Sequence, residues 1–383
     1  MSPSISFIHQ PDYDKKGVHR AMRKAIDLLG GMGRFVSPGE HILLKPNLLS
    51  PSSPEKAITT HPAVVQAAIE LVREAGGRPF IGDSPGMATL SKAAEVAGIK
   101  EVTDRAGVEL LEFDHPQGVT VPPGFRFKRI EVAQAALEAD GIINLPKLKT
   151  HGQMMLTLSV KNLFGCIPGR RKAQWHFQAG LNRDLFADML LELYLIMKPR
   201  LNILDGILGM EGDGPGNAGS PRWIGLMGAS GDGVALDMAV AGLLGISLPT
   251  VPTIKLAQEK GLSPRQLRDL EIKGESPETM RVFSFHLPKS VDLRWGIPPF
   301  LHGVLRNALT ARPVIDTSGC LLCRICSQAC PSQAIQEKGS RLLIDQQKCI
   351  RCFCCQELCP EAAVRTEQGW AARWLGIKEE ARS

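Results

Sequence analysis

Two runs of cysteine near the C-terminus carry the plainest chemistry in this 383-residue chain. The first places Cys320, Cys323, Cys326 and Cys330 ahead of Pro331, and the second places Cys349, Cys352, Cys355 and Cys359 ahead of Pro360. Three thiolates at two-residue gaps let the backbone curl around one face of an iron–sulfur cube, because soft sulfur ligands suit iron. In such paired runs the fourth cysteine ligates the other cluster. The expected sets are Cys320, Cys323, Cys326 and Cys359 for one [4Fe–4S] cluster, and Cys349, Cys352, Cys355 and Cys330 for the second. A zinc site or a disulfide framework also uses paired cysteines. Neither needs a third cysteine at the same gap followed by Cys-Pro, twice. Cys354 falls outside the ligand spacing and is read as a thiol packed beside the cluster; ligand exchange is its sharper alternative.

The two halves match beyond the cysteines, since Pro331 to Ile335 answers Pro360 to Val364, with a short strand expected at Arg341 to Asp345. This stretch resembles the two-cluster bacterial-type ferredoxin domain over about residues 312–369. From Arg312 onward there are ten basic and eight acidic residues. That balance differs from the acidic surface usual in free electron carriers and suggests a module serving its own chain.

A second constellation lies upstream. From Gly141 to Arg183 there are seven Lys or Arg and no Asp or Glu. The basic residues alternate with Gly, Pro, Asn and His in what reads as loops off a strand. Lys147, Lys149, Lys161 and Arg170 are therefore expected to bind a carboxylate or phosphate through charge-assisted hydrogen bonds, with Asn162 beside them. His151 or His176 would move a proton near neutral pH, and Lys161, if desolvated, would act as base or nucleophile. A merely solvated basic face, and histidines that are only hydrogen-bonded, are the plainer readings. Earlier loops add Lys45, Asn47 and Asp83, and a later glycine-dense loop adds Asp205, Glu211 and Asp213, suited to a cation or to ligand hydroxyls. Turn formation accounts equally for Asn and Asp in such loops. Cys166 reads as a buried packing thiol or a redox partner.

These residues must be held by a scaffold. Residues 1–115 alternate strands, such as His41 to Lys45 and Pro79 to Gly82, with helices, such as His61 to Ala75. That order implies an α/β main domain, a mostly parallel sheet with flanking helices, with ligands beyond the carboxyl ends of the strands. Further strands are expected at 141–145, 201–204, 224–227, 270–273 and 281–285. Further helices are expected at 184–197, 234–244, 254–260 and 264–270. The segment 145–151 reads as loop. The division expected is 1–285 main domain, 286–316 linker, 317–369 a small α+β ferredoxin-like two-cluster domain, and 370–383 a tail helix.

Net charge is a mild +6. No basic stripe with stacking aromatics points to nucleic acid. No run approaches the ~18 apolar residues of a membrane span, and the N-terminus has no signal-peptide pattern. Ten cysteines, eight of them in cluster spacing, point to a reducing compartment, the cytoplasm by default.

The order of motifs resembles that of a known family. Lys45-Pro46-Asn47, Gly82-Asp83, Leu145 to His151, Val160 to Gly165 and Asp205 to Gly216, closed by a two-cluster unit, resemble the domain of unknown function 362 family of iron–sulfur proteins. The resemblance implies the fold and the clusters and supplies no reaction. His151, Lys161, Pro168-Gly169 and His176 also resemble the pattern of nickel-pincer lactate racemases. Carried over, Lys161 would anchor a nickel cofactor and His176 would ligate the metal. The sequence departs from that pattern at Asn162 to Phe164, where a glycine-rich turn is expected. The expected activity is an iron–sulfur oxidoreductase acting on an anionic small molecule or cofactor, served by a redox partner protein or small-molecule donor. A non-catalytic carrier or adaptor, a racemase-like enzyme, and a ligase or transferase with structural clusters remain alternatives, and a further cofactor is left open.

Overall fold

The structure, a computed structural model, describes residues 2–121, 124–289 and 310–369. The expected tail helix and residues 290–309 of the expected linker lie outside the described residues. The uniformly apolar runs form the central strands. β1 is Ser4–His9, β2 is His41–Pro46, β3 is Arg78–Asp83 and β4 is Leu110–Glu112. β5 (Pro116–Thr120) and β6 (Arg129–Ala133) form a separate antiparallel pair. β7 (Gly141–Leu145), β8 (Lys147–His151), β9 (Met155–Thr157), β10 (Leu201–Gly212), β11 (Gly219–Ser230) and β12 (Glu271–Gly274) complete the main domain.

Ten of these strands make one sheet in the order β12-β1-β11-β10-β7-β2-β3-β4, with β8 attached to β10 and β9 to β8. The run β10-β7-β2-β3-β4 is parallel throughout. β11 pairs antiparallel with both β1 and β10. The chain steps outward from β2 through β3 to β4, then returns to lay β7 on the other side of β2. That reversal opens a crevice beyond the carboxyl ends of β2 and β7.

Alternation along β2 assigns its two faces. Ile42 and Leu44 pack under the helices Lys15–Asp27 and Pro62–Glu74 with Val18, Met22, Val64 and Val72. Leu43 faces the opposite core, which holds Phe186, Leu190 and Leu193 of the helix Arg183–Met197. Each such side chain stabilises the fold by about 1.5–3 kcal/mol on burial. Pro62 opens its helix as expected, and Asp232 caps the helix Gly233–Leu243 by accepting from the amides of Val234 and Ala235.

Several elements differ from expectation. Residues 147–151 are a strand, not a loop, and all five are buried. Buried lysine is rare, so the cations disguised the two-residue alternation of Lys147, Lys149 and His151. β10 and β11 each run twelve residues, and β10 takes in the start of the expected acidic loop. The expected strand at 281–285 does not form, and the expected helix at 264–270 is reduced to a 3-10 turn at Leu267–Asp269.

Lys147 and Asp205 belong to the framework. The Lys147 ammonium donates to Asp205 Oδ2 and to the Tyr13 hydroxyl, both at 2.8 Å. Asp205 also accepts from the His61 amide at 2.9 Å and from the Tyr13 hydroxyl at 2.6 Å. This network ties β8 and β10 to the start of the helix Pro62–Glu74.

The small C-terminal unit pairs β13 (Arg312–Ile315) with β16 (Val364–Glu367), and β14 (Ile335–Lys338) with β15 (Arg341–Ile344). It therefore begins at Arg312, inside the stretch read as linker. Leu322, Arg324 and Gln333 have positive φ, and so do Arg351, Phe353 and Ala362 at the matching points of the second run. The left-handed residues turn the chain sharply between cysteines, which is how the sequence repeat becomes a structural one.

Asp205→Ala would leave the Lys147 ammonium buried without its carboxylate. The expected loss is about 3–5 kcal/mol, read as a lower urea midpoint by far-ultraviolet circular dichroism; an unchanged midpoint would show that the pair does not support the fold.

Candidate functional site at the junction of the two units

A cavity of about 370 Å³ opens beyond the carboxyl ends of β2, β3 and β8, and residues of the cysteine unit close its far wall. Its polar residues fall into two groups. The first is built on β2 and β3. Lys45 Nζ lies 3.0 Å from Asp83 Oδ1, with both side chains buried, and donates to the Pro46 carbonyl at 2.7 Å. Asp83 also accepts from the amides of Leu48 and Ser84. Gly165 packs directly on this pair. A Cβ there would sit 2.1 Å from Asp83 Oδ1 and 2.6 Å from Lys45 Nζ, so a side chain is excluded. Lys172 Nζ donates to Ser84 Oγ at 2.7 Å.

The turn that carries Lys161 and Asn162 is fixed at both ends. The Asp237 carboxylate accepts from the amides of Ser159 and Val160. Asn162 donates to the Lys45 carbonyl and to Asn144 Oδ1, and accepts from Asn47 at 2.8 Å.

The second group faces the cysteine unit. Lys149 Nζ donates to the Ile58 carbonyl at 2.6 Å. His151 Nδ1 accepts from the amides of Gln153 and Met154, both at 3.0 Å. The neutral ring therefore carries its proton on Nε2, which lies 2.7 Å from Glu357 Oε1 of the cysteine unit. The contact is close but lacks hydrogen-bond direction, leaving both atoms unsatisfied. His176 packs its ring against Phe186 at 4.4 Å, and its buried Nδ1 has no hydrogen-bond partner among the described residues. Lys161 Nζ sits 4.7 Å from the centre of the Phe164 ring, a cation–π contact. Among the described residues it has no hydrogen bond or ion pair.

Burial dominates the titration of these groups. It lowers Lys149 and Lys172 to about 7. It lowers Lys161 as well, against the pull of Glu357 and Cys354. It lowers His176 to about 3 and also lowers His151. Burial would raise Glu357, but His151 and Lys161 overcome it and hold the carboxyl at about 2. Five cationic side chains (Lys45, Lys149, Lys161, Arg170 and Lys172) face only two carboxylates, Asp83 and Glu357. Such an excess of cations over carboxylates is chemically suited to an anion.

The structure gathers Cys320, Cys323, Cys326 and Cys359 around a small apolar-walled cavity with Leu321, Leu342 and Val364. Cys349, Cys352 and Cys330 crowd Cys355, and together with its burial they raise that thiol well above its ordinary value. Among the described residues, no three His, Cys, Asp or Glu stand close enough for a single metal ion. Thiols spread around a space suit a cluster better than one ion. Backbone amides already point at sulfur, from Ala334 to Cys330 at 3.2 Å and from Arg351 to Cys349 at 3.4 Å. Such bonds tune cluster potentials.

Of the residues read from the sequence, Lys45, Asn47, Asp83, Lys149, His151, Lys161, Asn162, Arg170 and His176 all line the cavity. Lys147 and Asp205 pair with each other instead. Glu211 pairs with Arg222 at 2.7 Å and with His286 at 2.8 Å, and Asp213 accepts from the Lys289 amide, which fixes the end of β10 away from the cavity. Cys166 is buried and pushed up to about 12, chiefly by burial, which fits a packing thiol. Ser84, Lys172, Cys354 and Glu357 line the cavity and were not singled out as site residues. Lys172 lay within the basic run; nothing local marks Glu357, whose role depends on how the two units meet.

The family described as domain of unknown function (DUF362) matches residues 42–242. The chain belongs to that family. A 4Fe-4S dicluster domain matches residues 312–360, so the C-terminal unit of this DUF362 protein is an iron–sulfur domain. A thylakoid-associated protein of Synechocystis sp. is 38% identical over 308 residues, which cover 80% of this chain and 95% of that protein. A crystal structure of a Thermotoga maritima protein aligns with a TM-score of 0.36 and 11% identity over 53% of this chain. The lactate racemase apoprotein of Thermoanaerobacterium thermosaccharolyticum aligns with a TM-score of 0.33 and 12% identity over 61%. The chain spans about half of each of those two structures, 52% and 55%. No helix among the described residues of the DUF362 protein is long and apolar enough to cross a membrane.

Lys149 and Lys172 are charged below about pH 7 and neutral between there and the ordinary lysine value. A bound anion favours the charged forms, so affinity is greatest below pH 7 and falls as pH rises through it. Sulfate, which does not titrate in this range, should bind up to about tenfold more weakly at pH 8 than at pH 7 for each lysine involved. Titration calorimetry in buffers of different ionisation heat should show proton uptake at pH 8; binding independent of pH from 6 to 8 would exclude both lysines.

Proposed function

We propose that this protein is an iron–sulfur oxidoreductase, exchanging electrons between two [4Fe–4S] clusters and an anionic small molecule or cofactor in the junction cavity. Cys320, Cys323, Cys326 and Cys359 hold one cluster, and Cys349, Cys352, Cys355 and Cys330 hold the other. When bound, the clusters supply one-electron transfer at potentials set by their surroundings. The observation that carries the reading is the double lining of one cavity. Basic side chains of the main domain form one wall, and Cys330, Cys354 and Glu357 of the cysteine unit form the other.

The chain's own residues divide the work. Lys161, desolvated and without a counter-ion among the described residues, stabilises negative charge on the ligand, where a preorganised cation in a water-poor site is most effective. His151, with its proton directed to Nε2 beside Glu357, presents that N–H to the ligand as a hydrogen-bond donor. His176 presents its free Nδ1 as a hydrogen-bonding group. Lys45 and Asn162 hold the floor of the site. An electron-carrier protein or small-molecule donor serves the clusters, and eight of ten cysteines in cluster spacing suit a reducing compartment such as the cytoplasm.

Anaerobically purified protein should contain about eight irons per chain, and fewer would remove the two-cluster assignment. Lys161→Ala should keep the iron content and visible absorption of the parent. Its reduced form should transfer electrons to a sulfonated naphthoquinone about ten- to hundredfold more slowly, the worth of one charge-assisted hydrogen bond. Transfer to the unsulfonated quinone should change little. Equal rates of parent and variant toward the sulfonated quinone would refute a role for Lys161.

A further inference from the structure

The cavity is lined by two polar groups and by several apolar side chains. Near the mouth, Ser84 Oγ accepts two hydrogen bonds, from the Gly169 amide at 3.0 Å and from Lys172 Nζ at 2.7 Å. A hydroxyl has two acceptor positions and one donor hydrogen. Both acceptor positions of Ser84 are filled, and among the described residues nothing accepts its hydrogen. Ser84 is more than nine-tenths buried, and it lines the cavity. The hydroxyl is therefore a donor in need of an acceptor. The Lys172 ammonium also donates to the Pro85 carbonyl at 3.4 Å and keeps one donor free, and exposed Arg170, two residues before it at the start of the helix Arg171–Ala179, lines the same cavity. Donors from a hydroxyl, an ammonium and a guanidinium, converging at a helix N-terminus, match the oxygens of an oxyanion.

Facing Glu357 of the cysteine unit, His176 Nδ1 and the Lys161 ammonium, both without a hydrogen-bond partner among the described residues, form a second polar group. Leu48, Leu49, Met87, Pro215 and Leu358 add an apolar strip to the lining of the same cavity. A bare inorganic anion or a short dicarboxylate would leave that strip wet and apolar. A volume of about 370 Å³ lies at the lower end of the range for pockets that take small organic ligands.

We infer that the cavity takes an amphipathic oxyanion: a phosphate or carboxylate head held by Ser84, Lys172 and Arg170, an apolar body along the Leu48–Leu358 strip, and a polar far end at Lys161 and His176. This rests on the reading of the cavity as an anion site and goes beyond it by naming the shape of the ligand and the end that anchors it. Phosphate and carboxylate share the head-group chemistry, and the probes separate them.

The test is calorimetric binding to the anaerobically purified full chain, with 1-naphthyl phosphate, 1-naphthoate, 1-naphthol and inorganic phosphate. One of the two naphthyl anions should bind at least tenfold tighter than inorganic phosphate and than 1-naphthol, and the tighter of the two identifies the head. Ser84→Ala and Lys172→Ala should each weaken that anion about tenfold and move 1-naphthol by less than twofold. Arg170→Ala, on the exposed rim, reads the same head group where the buried variants do not fold. Naphthyl anions no tighter than inorganic phosphate would overturn the inference, and so would head-group variants that bind like the parent. Binding needs no electron transfer, so the two readings fail separately. Tight naphthyl-anion binding with no electron delivery to the sulfonated quinone would remove only the oxidoreductase reading. Electron delivery with no naphthyl-anion preference would remove only the two-ended ligand.

Discussion

An ammonium group taken out of water must find an acceptor, and this fold places four lysines at the carboxyl ends of its strands and on the turn beside them under that demand. Lys45 meets Asp83, Lys147 meets Asp205, and Lys149 meets the Ile58 carbonyl. Lys161 meets only aromatic faces among the described residues. The first three are answered by the chain and hold β2, β3, β8 and β10 in register at their functional ends. The fourth is answered at longer range by Glu357. The framework thus surrounds one cation that has no close partner among the described residues, an arrangement that suits a preorganised site.

Glu357 belongs to the other unit, so the site is incomplete in either half alone. The join is tight enough to forbid side chains. A Cβ on Gly216 would lie 2.2 Å from the Glu357 carbonyl oxygen, and one on Gly86 would lie 2.6 Å from Leu358. Asn217 adds a hydrogen bond to the Cys359 carbonyl at 3.3 Å. These contacts bring the helix Cys354–Glu357, between the last cysteines, against the crevice where the strand order reverses. Chemistry at the crevice and chemistry at the cysteines are thus neighbours, with a histidine–glutamate contact between them.

Much of this was legible in the chain itself. The cysteine spacing is a local property, because a curl of backbone around a cluster needs only a few residues, and the two runs repeat even their left-handed positions. The α/β order of the first half was equally plain, since Ile42, Leu43 and Leu44 are apolar on both faces and glycine or proline marks the helix ends. The basic run from Lys149 to Arg170, which lacks any carboxylate, marked residues that line the cavity. What misled was charge. Lys147 and Asp205 looked like site residues because burial cannot be read from residue type, yet they satisfy each other inside the framework. The same cations hid β8, whose alternation was present and whose polarity argued for a loop.

By itself the sequence determined the elements with local causes: strands and helices set by periodicity and breakers, and cysteine sets fixed by short spacing. Only the tertiary structure decided which charges cancel and which remain. Lys147 and Asp205 are 58 residues apart, and Lys45 and Asp83 are brought together by parallel pairing of β2 with β3. Glu357 reaches His151 across more than two hundred residues of chain. The physical reason is that the energy of a charge depends on its solvation and its neighbours, and both are properties of the packed molecule rather than of the residue.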